Sequence, residues 1–257
     1  MSLHVEVTGT GKPLVMLHGW GMHGGVWTDT AAQLAQHFRV YCVDLPGHGA
    51  SVPITAFTLD GVVEQLAALF DQPITVCGWS LGGQVALHWA MREPENINRL
   101  ILVTSTPCFA ERNDWPFGMS QQTLLQFAAD LEKNYSATLR RFIGLQMRGS
   151  EHERELLAEL RQRLFSRGEP DIDALRGGLV ILRDSDLRSV LPSIRQPALV
   201  IAGERDKLSP PEASHFMAQT LPNARVVVIE GAAHAPFMSH REEFTGHVMG
   251  FLNEKQA

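Results

Sequence analysis

Six short apolar runs punctuate the chain: Leu14–His18, Val40–Asp44, Ile74–Cys77, Leu100–Thr104, Ala198–Ala202 and Arg225–Ile229. Each is nearly continuous rather than alternating. Continuity at that length predicts strands buried on both faces, as in a parallel sheet covered by helices. Segments with helical spacing lie between them, about Val26–His37, Thr58–Phe70, Ser80–Met91, Pro211–Thr220 and Arg241–Leu252. The repeating strand–helix order predicts an open α/β fold with a mostly parallel central sheet flanked by helices. In such sheets function collects at the carboxyl ends of the strands.

One interval departs from this rhythm. Between Glu111 and Gln196 no run reads as a strand, whereas Leu124–Leu131, Ala137–Met147, Glu153–Leu164 and Asp173–Leu182 read as helices, punctuated by Gly118, Gly149, Gly168-Glu-Pro170 and Pro192. The interval is too long for a structureless loop in a compact domain. The expected organisation is an α/β core of residues 1–110 and 197–257. A helical lid, 111–196, is inserted over the sheet's carboxyl edge.

Composition narrows the class. With 44% hydrophobic and 19% charged residues over 257 positions, a sizeable core is available and an ordered chain is expected. A formal charge of −6 argues against a general nucleic-acid binder. No run approaches the roughly 18 apolar residues of a membrane span, and the N-terminus lacks the charged-then-apolar signature of a signal peptide. Cys42, Cys77 and Cys108 are too few and too scattered for a disulfide framework, so buried free thiols are expected. A soluble cytoplasmic protein, monomeric and without membrane or nucleic-acid partners, is the expectation. The lid interval is electrically distinct. It holds 13 of the 22 Lys and Arg and 13 of the 28 Asp and Glu, so the core carries the whole net charge. Arg141 and Arg148, like Arg154 and Arg161, stand seven apart and could share helix faces, either as solvated surface or as a docking face for an acidic partner.

The chemistry starts at Gly78-Trp-Ser-Leu-Gly-Gly83, between an apolar run and a helical one. Gly78-x-Ser80-x-Gly82 is the G-x-S-x-G pattern in the strand–turn–helix context it requires. Such a turn presents a serine hydroxyl above a helix N-terminus whose free N–H groups favour negative charge. A serine nucleophile needs a base. His234, in Gly231-Ala-Ala-His-Ala-Pro236 after the last strand-like run, is flanked by small residues and is the candidate. The base needs an orienting carboxylate. Asp206 follows the Ala198 run in Gly203-Glu-Arg-Asp-Lys-Leu-Ser-Pro210; Glu204 is the local rival, but the usual spacing beyond the strand favours Asp206. After the Leu100 run, where some related sheets carry the acid, Thr104-Ser-Thr-Pro-Cys108 offers no carboxylate. The order Ser80…Asp206…His234 is that of α/β-hydrolases.

A tetrahedral intermediate needs two N–H donors, each worth about 3 kcal/mol of barrier in other serine enzymes. The candidates are Leu81, next to the nucleophile, and Trp20, in the His18-Gly-Trp-Gly-Met-His23 loop. No carboxylate or cysteine completes a ligand set around His18 and His23, so no metal is expected. No cofactor site is evident either. Asp44-Leu-Pro-Gly-His-Gly49 reads as a strand-ending turn without chemistry.

Taken together, these motifs resemble the α/β-hydrolase superfamily over the whole chain. A narrower resemblance rests on Leu17-His-Gly-Trp-Gly21, Gly78-Trp-Ser-Leu-Gly-Gly83, Thr106-Pro-Cys-Phe109 with Asp114-Trp-Pro116, Arg141-Phe-Ile-Gly-Leu-Gln146 and Ala232-Ala-His-Ala-Pro-Phe237. These segments are similar to the pimeloyl-[acyl-carrier protein] methyl ester carboxylesterases of biotin synthesis. The resemblance implies hydrolysis of a methyl ester on a pimeloyl chain borne by acyl carrier protein. It also implies an acyl chain running under the lid past Trp20, Leu81, Phe142, Ile143, Gly144, Leu145 and Gln146. Arg141 and Arg154 match basic lid positions expected to receive the acidic carrier; Ala137 and Ala158 stand where other members carry arginine, and Arg140, Arg148 and Arg161 are nearby. Two alternatives are a generalist short-chain carboxylesterase of the same fold and a non-catalytic hydrolase-like receptor.

Overall fold

A computed structural model describes residues 3–254. Its strands are β1 (Val5–Thr8), β2 (Lys12–Leu17), β3 (Phe38–Val43), β4 (Ile74–Trp79), β5 (Ile97–Val103), β6 (Ala198–Gly203) and β7 (Ala224–Ile229). They form one sheet in the order β1-β3-β2-β4-β5-β6-β7, parallel throughout except for β1, which runs antiparallel to β3. The strand order reverses at β2, which has β3 on one side and β4 on the other. That switch point opens a crevice at the carboxyl ends of β2 and β4.

The central strands are buried as their unbroken apolar runs predict: β6 has no exposed residue, and Val15, Val76 and Leu100 are sealed from solvent. The edges differ. At β1 only Val5 is partly covered, so its short alternation leaves too little apolar pattern to read as a strand. At the other edge, β7 keeps Val228 exposed despite a continuous valine run. Its valines reflect strand propensity rather than burial on two faces.

Helices α1 (Thr28–Leu34), α2 (Leu59–Ala67) and α3 (Leu81–Arg92) follow β2, β3 and β4. The predicted start of α1 at Val26 is instead a 3₁₀ turn, Gly24–Trp27, because Gly24 and Gly25 break the helix and the His23 ring accepts from Gly25 N–H. Helix α3 is apolar nearly all round, burying Leu81, Val85, Ala86, Leu87 and Trp89 against the sheet. Burying one such Leu or Val side chain stabilises by about 1.5–3 kcal/mol.

Between β5 and β6 lie α4 (Gln121–Lys133), α5 (Tyr135–Met147), α6 (Glu153–Leu164) and α7 (Ile172–Asp184). Side-chain caps set three of their starts: Ser120 accepts from Thr123 N–H, Asn134 from Ala137 N–H and Asp171 from Ala174 N–H. Each cap is worth about 1 kcal/mol. The remaining helices are α8 (Pro211–Thr220), the single turn α9 (Pro236–Ser239) and α10 (Arg241–Asn253). None of the described helices is long and apolar enough to cross a membrane.

Helices α5 to α7 are bolted to the core by specific hydrogen bonds. Arg163 donates to Gly25 O (2.9 Å) and pairs with Asp29 (2.7 Å), while its own carbonyl accepts from His23 Nε2 (2.7 Å). Arg167 pairs with the fully buried Asp44 at 3.0 Å and with Glu6. Asp171 N–H donates to Gly47 O (2.7 Å), Trp20 Nε1–H to Leu175 O (2.9 Å) and His234 N–H to Gln146 O (3.1 Å). Helix α4 is different. Among the described residues its side-chain bonds to other elements end on Glu111, Arg141 and Arg176, all within 111–196.

Candidate active site

Strand β4 delivers Ser80 to the crevice through a sharp turn. Ser80 has φ 55° and ψ −118°, a left-handed backbone that a non-glycine residue holds only under the constraint of its surroundings. The turn closes because Gly78 and Gly82 carry no side chains: a Cβ on Gly78 would lie 2.2 Å from Gly82 O, and one on Gly82 would lie 2.6 Å from Leu17 O. Ser80 thus caps α3, and Leu81 N–H, in the first helical position, meets no acceptor among the described residues.

The loop after β2 passes directly beside it. A Cβ on Gly19 would stand 3.2 Å from that of Ser80. The N–H of Trp20 is likewise without an acceptor among the described residues. The two predicted oxyanion donors are therefore Leu81 at the start of α3 and Trp20 on the loop after β2, and both N–H groups lack an acceptor among the described residues.

His234 sits in the loop after β7 and is fully buried. Its Nδ1–H donates to Asp206 Oδ2 at 2.8 Å, which leaves a lone pair on Nε2, and Nε2 has no partner. Asp206, also buried, is aimed by its own loop: Oδ1 accepts from Leu208 N–H (2.8 Å) and Ser209 N–H (3.1 Å). Glu204 does not reach the imidazole. It accepts from Gly231 N–H at 3.0 Å and its side chain is half exposed. Ser80 Oγ makes no hydrogen bond to Nε2.

Trp20, Phe142 and Phe127 form one aromatic cluster that joins the loop after β2 to α5 and α4. The Trp20 and Phe142 rings meet edge-on at 4.9 Å, and Phe142 and Phe127 at 5.6 Å. Ser80 itself is only 5% exposed. Of the five predicted lid positions, Phe142, Ile143 and Gln146 face inward on α5 and are buried. Gly144 and Leu145 lie on its half-buried side, where a Cβ on Gly144 would meet nothing within 4 Å. The Gln146 carboxamide is buried with neither end hydrogen-bonded.

The expected arginine surface is partly engaged. Arg141 pairs with Asp130 at 2.8 Å and covers the Phe127 ring. Arg154 and Arg161 lie exposed on α6, and neither makes an ion pair among the described residues; the nearby Glu151 pairs with Arg205 instead. Arg148 falls beyond the end of α5, so it does not continue the Arg141 face along the helix.

Buried imidazoles support the loop after β2. Leu45 N–H donates to His18 Nε2 (2.9 Å), so the His18 proton is on Nδ1, donating to Gly19 O (2.8 Å). Burial, then the neighbouring His48, holds His18 well below the usual histidine range. Burial likewise pushes His48 down to about 4. Both rings are therefore neutral in the folded protein at neutral pH, while in the unfolded chain they protonate near 6.5. With the folded pKa depressed, their stabilising contribution is complete above about 6.5 and is lost as pH falls towards 4. Thermal unfolding followed from pH 7.5 to 4.5 is expected to show a midpoint that drops through this window. The drop should be shallower in His48→Gln; an unchanged slope in that variant would contradict the assignment.

Sequence patterns missed several anchors of this site. The Trp79 indole N–H and the Thr104 hydroxyl both donate to His234 O, at 2.7 Å each, and the Ser105 hydroxyl donates to Ser80 O at 2.8 Å. A polar pair directly after an apolar strand was the available signal for the last two.

The model of the alpha/beta hydrolase fold matches residues 12–241. A pimeloyl-[acyl-carrier protein] methyl ester esterase of Nitrosomonas europaea is 48% identical over 95% of this chain and 96% of its own length. The protein of the same description from Chromobacterium violaceum is 43% identical over 95% of each chain. Among solved structures, an esterase from Exiguobacterium antarcticum superposes with a TM-score of 0.90 at 25% identity, covering 98% of this chain and 96% of that one.

Proposed function

From the premise that the chain belongs to the α/β-hydrolase family, and within it to the pimeloyl-[acyl-carrier protein] methyl ester esterases, we propose that it hydrolyses this carrier-borne methyl ester through Ser80, His234 and Asp206. The observation that carries the reading is the buried Asp206–His234 pair at 2.8 Å, its free Nε2 in the same crevice as the strained Ser80 turn.

In this reading, Ser80 Oγ attacks the ester carbonyl while His234 Nε2 takes its proton. Asp206 keeps the His234 proton on Nδ1 and stabilises the imidazolium. The N–H groups of Leu81 and Trp20 receive the oxyanion. Methanol leaves with the proton from Nε2. A water that gives its proton to Nε2 then attacks the acyl-enzyme, and Ser80 recovers its proton as the free carboxylate departs. Residues 111–196 act as a lid, and the apolar side chains of Trp20, Phe142 and Ile143 line the path of the pimeloyl chain, with Leu81, Gly144, Leu145 and Gln146 beside it. The reaction is assigned to the cytoplasm; three free cysteines, all buried, accord with a reducing compartment.

The acidic carrier docks on the lid arginines in this proposal. Arg154 offers an uncompensated charge, whereas Arg141 must first give up Asp130. Arg140, over the Phe165 ring, and Arg161 extend the positive surface. Turnover of pimeloyl-carrier methyl ester against a free short-chain ester tests the whole reading. A clear preference for the carrier-borne ester is expected; equal turnover would favour a generalist esterase. Arg141→Glu/Arg154→Glu is expected to lower kcat/KM on the carrier-borne ester by about tenfold or more at low salt. The free ester should be unaffected, and equal losses on both would count against docking at this surface.

A further inference from the structure

Ser80 follows β4 and His234 follows β7, and β5 and β6 lie between those strands in the sheet. Their mutual approach must therefore be set across two intervening strands. The carboxyl end of β5 touches both. Ser80 N–H donates to Val103 O at 3.0 Å, and the Ser105 hydroxyl donates to Ser80 O at 2.8 Å. The residue between them, Thr104, donates its hydroxyl to His234 O at 2.7 Å and its N–H to Ile201 O at 2.7 Å. Thr104 and Ser105 are fully buried, so neither hydroxyl has water as an alternative partner.

Thr104 is also one of only three non-glycine residues with positive φ among those described, at 39°. For a β-branched residue this conformation is unfavourable and persists only where the surroundings over-determine it. It turns successive side chains of Thr104 and Ser105 towards two different loops.

We infer that the Thr104–Ser105 turn is a clamp that holds the nucleophile loop and the base loop in register, so that its two hydroxyls are positioning groups for the reaction. Neither touches the reacting atoms; each acts through a backbone carbonyl. Trp79 Nε1–H, the second donor to His234 O, fixes the same carbonyl from the nucleophile's own strand. The inference rests on Ser80 and His234 being the reacting pair.

Steady-state kinetics on a free short-chain ester, p-nitrophenyl butyrate, test the clamp without involving carrier docking. Thr104→Val keeps size and branching but deletes the donor; Ser105→Ala deletes the other. Each is expected to lower kcat about tenfold, because small misplacements of reacting groups carry penalties of this order. KM should stay within about twofold, and the double variant should lose less than the product of the single losses, since both hydroxyls set one geometry. Thr104→Ser should recover most of the rate. Thr104→Gly, which removes the backbone strain along with the hydroxyl, should be slow even if its thermal midpoint is retained. A kcat within twofold of the parent for both Thr104→Val and Ser105→Ala would overturn the clamp. So would losses that merely track the thermal midpoint and are not recovered in Thr104→Ser. Labelling of the parent by a fluorophosphonate probe separates the two levels: if Ser80 is not labelled, the underlying reaction fails and takes the clamp with it. If Ser80 is labelled while the variants run at parental rate, the clamp alone fails.

Discussion

Ser80→Ala is expected to lower kcat on the carrier-borne methyl ester by about 10⁶-fold, the scale seen when the nucleophile of a serine hydrolase is deleted. The loss should fall on chemistry and not on structure. The bonds that hold the turn, from Ser80 N–H to Val103 O and from Ser105 Oγ to Ser80 O, use backbone atoms that alanine retains. Alanine meets the φ of 55° at about the cost serine does, and the Gly78–Gly82 contact is untouched. The thermal midpoint should therefore move little, and the variant should still bind the ester. Single-turnover measurements, with mass spectrometry of the protein after fluorophosphonate treatment, check both halves of the expectation. Activity within tenfold of the parent would remove Ser80 from the mechanism.

Asp206→Asn is expected to cost about 10⁴-fold in kcat, and the structure says which way the amide will turn. Leu208 and Ser209 N–H both donate to Oδ1, so the amide oxygen must occupy that side. The amide nitrogen then faces His234 Nδ1, where the carboxylate oxygen now accepts at 2.8 Å. Two donors cannot share that contact. His234 is forced to carry its proton on Nε2, and it can no longer take one from Ser80. The variant should fold, because the loop bonds survive, and its rate should rise with pH if hydroxide substitutes for the missing base. Glu204→Gln is the paired control: its carboxylate meets Gly231 N–H rather than the imidazole, and kcat should remain within twofold. A large loss in Glu204→Gln with little in Asp206→Asn would reverse the assignment.

Sequence patterns carried much of this architecture because the central strands are buried on both faces. An apolar run such as Ala198–Ala202 has no other comfortable place in a soluble chain, and β6 spans Ala198–Gly203. Legibility failed at the margins, where burial no longer dictates residue type. Edge strand β1 needs almost no apolar residues, and β7 has valines that solvent partly reaches. The start of α1 was lost to two glycines and a histidine cap that act over three residues. At the candidate site, Ser80, Asp206 and His234 stand out in the sequence by residue type and order, and the structure joins Asp206 to His234. Thr104 and Ser105 did not, since a hydroxyl that bonds a distant carbonyl leaves no local periodicity. The engagement of Arg141 was equally silent: Asp130, eleven positions away, lies on another helix.

The uneven fastening of the helices between β5 and β6 ranks the ways in which the molecule can breathe. Raising α6 or α7 would break buried and part-buried bonds from Arg163, Arg167, Trp20 and Asp171, several of them to charged groups worth about 1.5–3 kcal/mol each. Raising α4 breaks none to the core. It separates the apolar faces of Leu124, Phe127 and Leu131 and strains exposed ion pairs worth about 0–1 kcal/mol each. The amides of α4 should accordingly exchange with solvent hydrogen before those of α6 and α7. Because Phe127 rests on Phe142, and Phe142 on Trp20, that cheapest fluctuation also removes the outer ring of the aromatic cluster that reaches the loop after β2. On the proposed reading, admission of the ester draws on the least stable part of the fold and leaves the Asp206–His234 pair undisturbed.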